Sequence, residues 1–251
     1  PLQNNGSVTV AEGATLRLGT TVATGASASI TGPGIVDFVG GANTLSPQLL
    51  GTTGAVRVSG GVVDIDPAFQ PPQWLFTGGA ANFIADAPLA DALLDGGAIG
   101  GAGRLEIDSL HWVRGALASG GDARIAESGA VLIDGPAAGL RTLSRTLVNY
   151  GALVIDTGAL TIDGGALINN AALSMIGGVS IRGDGAGGAF INNGHVAATG
   201  FGTIAIEGAG LNLVNNGTIE FGPGSTLRLG GNIAPGDFGA ITGVGSLQFS
   251  A

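Results

Sequence analysis

The chain has 251 residues, a net charge of −9 and no cysteine, and its nine basic residues are all arginine. The lack of cysteine excludes disulfide staples and thiolate metal centres, while scattered arginines on an acidic chain exclude the basic stripe that nucleic acid or an anionic membrane surface requires. Glycine accounts for 49 residues and hydrophobic residues for 45%, so the chain is glycine-rich yet carries enough apolar surface to offset the entropy of ordering it.

From the N-terminus, residues 2–38 open with LQNNGSVTVAEGATLRLG and return, gap-free, as LVNNGTIEFGPGSTLRLG at 213–249, with 17 of 37 positions identical. Repetition of this kind points to stacked units rather than a closed globule. Ala55-Val56-Arg57-Val58 and Val62-Val63-Asp64-Ile65 continue the alternation of a strand with one buried face. Residues 66–96 break it. Asp66-Pro67 and Pro71-Pro72 interrupt pairing, Trp74 and Phe76 add bulk, and residues 85–97 predict a short helix over 87–94, with Asp86 as N-cap, Pro88 in the first turn and Gly96 at the end. The segment reads as an irregular coil or as a binding decoration. Regular rungs resume with Arg104-Leu105-Glu106-Ile107 and Val131-Leu132-Ile133-Asp134.

The most regular array spans residues 147–231, where LVNY, LINN, FINN and LVNN begin at 147, 167, 190 and 213. A short alternating segment follows each, then a glycine break and a second alternating segment. Three short strands per step describe one coil of a three-sided parallel β-solenoid. The expectation is an all-β, right-handed parallel β-helix, a single domain over 1–251 with roughly 10–12 coils and a length of about 50 Å at the usual strand spacing. Leu160, Val179, Ile204 and Leu227 are expected to stack as one interior row, and Leu147, Leu167, Phe190 and Leu213 as another. Asparagine tolerates left-handed backbone and a following glycine supplies positive φ. Stacked on successive coils, Asn149, Asn169, Asn192 and Asn215, with Asn4 from the first copy, form an amide ladder that satisfies buried corners; the competing reading is a set of Asn-Gly hairpin turns.

The pattern N-N-G-x-[VIL]-x-[VIF]-x-x-G-(x)-x-L-x-[IL] at 4–18, 149–162 and 215–229 resembles the passenger segments of bacterial autotransporters and filamentous-haemagglutinin-like adhesins. HWVRGALASGGDARIAESGAVLIDG (111–135) is similar to coils common in such exported repeat proteins. The resemblance covers most of the chain outside 66–96. It implies a structural or adhesive stalk or fibre at the extracellular face of a bacterial cell, and not an enzyme.

The rival function is binding or cleavage of polysaccharide, for which acid pairs such as Asp64 with Asp66, or Asp156 with Asp163, are the candidates; solvated outward carboxylates are the bland alternative. His111 and His195 lie far apart and predict no metal site. The GDGAGG run at 183–188 occurs once, without the periodic aspartates of a calcium repeat or the strand-to-helix setting of a dinucleotide loop, and reads as a turn. No catalytic residue, metal or cofactor is assigned. No stretch reaches the ~18 apolar residues of a spanning helix. The chain starts at Pro1 with Met175 its only methionine, so it reads as a processed or excised segment. Both ends are in rung pattern, which makes Leu2, Leu16, Leu18, Leu227, Leu229 and Phe249 the candidate stacking residues. The expected partner is the chain itself, head to tail, or neighbouring repeats of a longer array, with surface polysaccharide as a further candidate.

Overall fold

The computed structural model describes residues 2–24, 29–46, 49–234 and 236–250. Every regular element among them is a β-strand, every strand pairing is parallel, and the strands stack as a β-solenoid of about 11 turns. Each turn lays down up to three short segments, so the chain builds three faces, named A, B and C in the order visited. Long strands such as Ser29–Leu45 and Leu50–Ile65 bend around two corners and contribute to more than one face.

Face B is the most continuous. Residues 16–18 pair with 36–38, then 56–58, 74–76, 92–94, 110–112 and 131–133, and on through 153–155, 173–175, 196–198 and 219–221 to 241–243. On face C, Val63, Ala81, Ile99, Leu117, Leu143 and Ile162 form one stacked column, all buried. Face A becomes regular at 87–89 and runs through 105–107, 123–125, 147–149, 167–169 and 190–192 to 213–215. Period-two alternation fixes what points inward: Trp74 and Phe76 are buried with Leu75 half-buried between them, and Leu153 and Ile155 are buried around Val154.

Residues 66–96 hold no helix. Trp74–Phe76, Ala80–Phe83, Ala87–Leu89 and Ala92–Gly101 are strands in the tightest coils of the molecule, where hydrogen-bonded partners on successive turns lie 18 residues apart. Pro88 fits because the strand Ala87–Leu89 pairs on one side only. The Ala87 N–H reaches forward to the Arg104 carbonyl at 2.9 Å, and the preceding coil has a turn at this place, so the N–H that proline lacks had no acceptor waiting. Asp86, the expected cap, instead accepts the Arg104 N–H at 2.8 Å. The bulky residues fill the interior: Trp74 stacks on Phe76 with centroids 5.6 Å apart and meets Phe69 and Phe83 edge-on.

Of the two expected interior rows, Leu147, Leu167, Phe190 and Leu213 stack in register. The other is displaced. Leu160 pairs with Ile181, Ile206 and Leu229 in turn, while Ile204 pairs with Leu227. The corners preceding these strands differ in length, so aligning on the first aliphatic after each glycine puts Leu160 one pleat early. A two-residue shift leaves each side chain on its own face, which is why burial was unaffected.

The two copies of the terminal repeat lie on different faces. Leu16-Arg17-Leu18 belongs to face B, whereas Leu227-Arg228-Leu229 belongs to face C. The interval between them is therefore a whole number of turns plus one face, and equal sequence does not mean equal position around the axis.

Candidate functional site

The asparagine corner lies where face A passes into face B. In the inward column that holds Ile107 and Ile125, the next four residues are Asn149, Asn169, Asn192 and Asn215, all buried. Asn149 Nδ2 donates to Asn169 Oδ1 at 2.8 Å, Asn169 to Asn192 at 2.7 Å, and Asn192 to Asn215 at 2.7 Å. The second N–H of Asn149, Asn169 and Asn192 goes to a backbone carbonyl of the following coil, that of Ala172, His195 and Thr218 in turn, while Asn215, last in the row, donates to the Phe238 carbonyl. An outer ladder that the sequence reading did not separate from the inner one runs alongside, Asn193 donating to Asn170 and Asn216 to Asn193, each at 2.8 Å. At its head the Arg124 guanidinium sits 4.4 Å above the Tyr150 ring.

Two details differ from expectation. Asn4 is not in the ladder: its copy of the motif lies on face C, where it pairs with Thr24, its Oδ1 accepts the Gly6 N–H at 3.2 Å and its Nδ2 has no partner among the described residues. No non-glycine residue among those described has positive φ, and neither do Gly151, Gly194 or Gly217. These glycines provide space instead, since a Cβ on Gly194 or Gly217 would lie 2.3 or 2.1 Å from a carbonyl oxygen of the preceding coil.

A second corner device escaped the sequence reading. Where face B passes into face C, Gly40-Gly41, Gly60-Gly61, Gly78-Gly79 and Gly96-Gly97 stack on successive coils, the second of each pair at φ between 66 and 79°. The signal was present as diglycines recurring at the coil period. Gly115 ends the stack, and the 134–140 excursion that follows is fixed from within by Arg141, whose guanidinium donates to the carbonyls of Asp134 at 2.6 Å and Gly139 at 3.2 Å. Arg141 and Arg145 are both buried; desolvation lowers each pKa, opposed by Asp134 and Asp122 respectively.

All arginine–carboxylate ion pairs among the described residues join neighbouring coils: Arg17 and Arg57 with Asp37, Arg104 with Asp86, Arg114 with Asp95, Arg124 with Glu106, and Arg228 with Glu207; His111 beside Asp134 and His195 beside Glu220 span neighbouring coils in the same way. Glu207 is held below the ordinary carboxylate range, first by the hydrogen bond from Arg228 and then by that from Ser250, against desolvation. Three of the four candidate acids have local partners. Asp64 accepts from Asn82 at 3.0 Å, Asp66 accepts the Ala68 N–H at 2.9 Å, and Asp163 takes the Ser144 hydroxyl at 3.4 Å. His111 and His195 are surface residues on different coils, and the GDGAGG run, expected as a turn, lies inside the strand Ser180–Asn192, whose register shifts between Asp184 and Gly188 and where Asp184 Oδ1 accepts the Ala186 N–H at 2.9 Å. No group of three or more metal-ligating side chains occurs among the described residues.

Of the candidate stacking residues, Leu227 and Leu229 are buried under the strand Ser246–Phe249, Leu18 is buried and Leu16 half-buried. Leu2 is exposed, as is Phe249 at 60%, beside exposed Leu247 and Val244. Comparison with known protein families, curated proteins and solved structures gave no match to this chain.

Proposed function

We propose that this chain is a structural segment of an extracellular bacterial surface fibre or stalk, its outer faces available for adhesion. The observation that carries the reading is the placement of charge: every ion pair among the described residues ties one coil to the next, so the ionic groups act as axial fasteners rather than converging on a reaction centre. The amide ladder works along the same axis. The resemblance to passenger and adhesin repeats agrees with it. The exposed Leu247 and Phe249 fit a surface covered by a further coil, whether of the same polypeptide or of a second copy.

Antibody labelling and electron microscopy of the native surface material test the reading. Rods continuing along one axis are expected, and freely diffusing compact particles would overturn it. Depolymerisation assays on a panel of polysaccharides are expected to give no product; cleavage abolished by Asp64→Asn with Asp66→Asn would replace the structural reading with an enzymatic one.

A further inference from the structure

Outside face B, over the first coils, lies a shallow groove of about 640 Å³ whose lining includes Arg17, Asp37, Arg57, Ser59, Leu75 and Leu93. Arg17, Asp37 and Arg57 occupy equivalent outward positions on three successive rungs, and Leu75 and Leu93 continue the same column. We infer that this groove binds a carboxylate-bearing glycan laid along the solenoid axis, with the two guanidiniums on its acid group and the leucines under the less polar face of the neighbouring sugar.

Neither arginine is saturated by the acid between them. Asp37 is buried, and its Oδ1 takes the Ser59 hydroxyl at 2.6 Å. Its Oδ2 lies 3.6 Å from Arg17 Nε and 3.9 Å from Arg57 Nη1, near enough for attraction but beyond hydrogen-bond length. Both guanidinium forks therefore keep their donors, and the Arg17 side chain is 70% exposed. The stack carries a local charge of +1 on a chain of −9. A carboxylate matches the planar fork. A dense polyanion is disfavoured by the acidic remainder of the chain and by Asp37 between the two cations. The groove's volume falls within the ~300–1,000 Å³ of ordinary ligand sites.

A second Arg–acid–Arg stack, on face C, shows what a closed version looks like. Arg182 is in register with Glu207, and Arg228, which pairs with Ala205 on the next coil, reaches across to grip both oxygens of Glu207 at 2.7 and 2.5 Å, with Ser250 adding a third bond. Arg228 thus serves as the control.

The test is titration calorimetry of the whole chain with an oligogalacturonate and, in parallel, with its methyl ester, at low and high salt. Binding of the acid form, weakened by salt and absent for the ester, is expected. Arg17→Gln and Arg57→Gln should each weaken it about tenfold, the loss of one charge-assisted hydrogen bond, with Arg57→Lys intermediate and Arg228→Gln unchanged. Circular dichroism of the exposed Arg17→Gln variant secures the fold. No binding at millimolar oligosaccharide, equal binding of the ester, or indifference to both Arg17→Gln and Arg57→Gln overturns the proposal. Binding is read whether or not the chain builds a fibre, so failure of one inference is distinguishable from failure of the other.

Discussion

At the corner between faces B and C the early coils turn on paired glycines, while at the corner between A and B the later coils turn on asparagine. The two solve opposite problems. In the glycine corner successive backbones touch: a Cβ on Gly61 would fall 2.4 Å from the Gly41 oxygen, and one on Gly79 2.6 Å from that of Gly61. No side chain fits, and the positive φ excludes most residues independently. In the asparagine corner the backbone leaves an inward position that must be filled and carbonyls that must be satisfied, and one amide per coil does both. The tight 18-residue coils thus pair backbone contact with an aromatic interior, and the later, longer coils pair a polar corner with an aliphatic one.

If the glycine corner is held by exclusion of side chains, its disruption is the largest effect expected. Gly79→Ala places a methyl against the Gly61 carbonyl in a left-handed conformation. Strain of about 1–3 kcal/mol and overpacking of a similar ~1–3 kcal/mol together predict a loss of about 4 kcal/mol in urea denaturation. A loss within about 0.5 kcal/mol, the scale of an ordinary surface change, would mean that the coils can separate there and that the corner is not close-packed.

This contrast also marks what the residues revealed beforehand. Strand alternation and the spacing of LVNY, LINN, FINN and LVNN gave the parallel stack and the four buried amides, because both are written in side chains that recur. The diglycine column was equally periodic, but glycine reads as generic punctuation until the backbone distance is known. Residues 66–96 misled because Pro88 and Asp86 have standard meanings at helix starts, and only the absence of a preceding strand on face A shows why they suit a sheet edge. Asn4 misled for a topological reason: the two copies of the terminal repeat, with their identical Leu-Arg-Leu triplets, fall on different faces, and coil lengths summed over the whole chain determine that offset.

A smaller effect is expected from the middle of the inner ladder. Asn192→Ala removes the acceptor for Asn169 and the donors to Asn215 and Thr218, leaving buried groups unpaired. With each unmet buried group costing about 1–3 kcal/mol and partial relaxation into the space, about 2–3 kcal/mol is the expected destabilisation, read as a shift in denaturation midpoint. An unchanged midpoint would mean that the amides fill space without bonding, making the corner as passive as the glycine one.

Charge provides a milder brace on face C of the last coils, and pH isolates it. Glu207 has its folded pKa below the unfolded value near 4.5, chiefly through the Arg228 hydrogen bond. Its stabilisation is present above the unfolded pKa and is lost as pH falls through the lower folded one. Thermal melts of Glu207→Gln should therefore differ from those of the parent at neutral pH and converge with them in strong acid. Coincident curves at every pH would show that the pair contributes nothing to folding, and a constant offset down to the lowest pH would show that its contribution does not depend on the carboxylate's charge.

The smallest effect separates the inner ladder from its outer twin. Asn193 bonds to Asn170 and Asn216 at the same 2.8 Å that joins Asn149 to Asn169, so distance alone would rank the two ladders as equals. Burial decides otherwise. The outer amides are exposed at Asn193 and Asn216, so water replaces any bond that a truncation removes, whereas no water reaches Asn192. Asn193→Ala is therefore expected to cost within about 0.5 kcal/mol, the range for surface changes, against several times that for Asn192→Ala. Measuring both variants in one denaturant series checks the ratio directly. Equal losses would mean that the outer row is rigidified by its neighbours rather than hydrated, and the coil corner would then be a two-layer amide lattice instead of a buried seam with a wet edge.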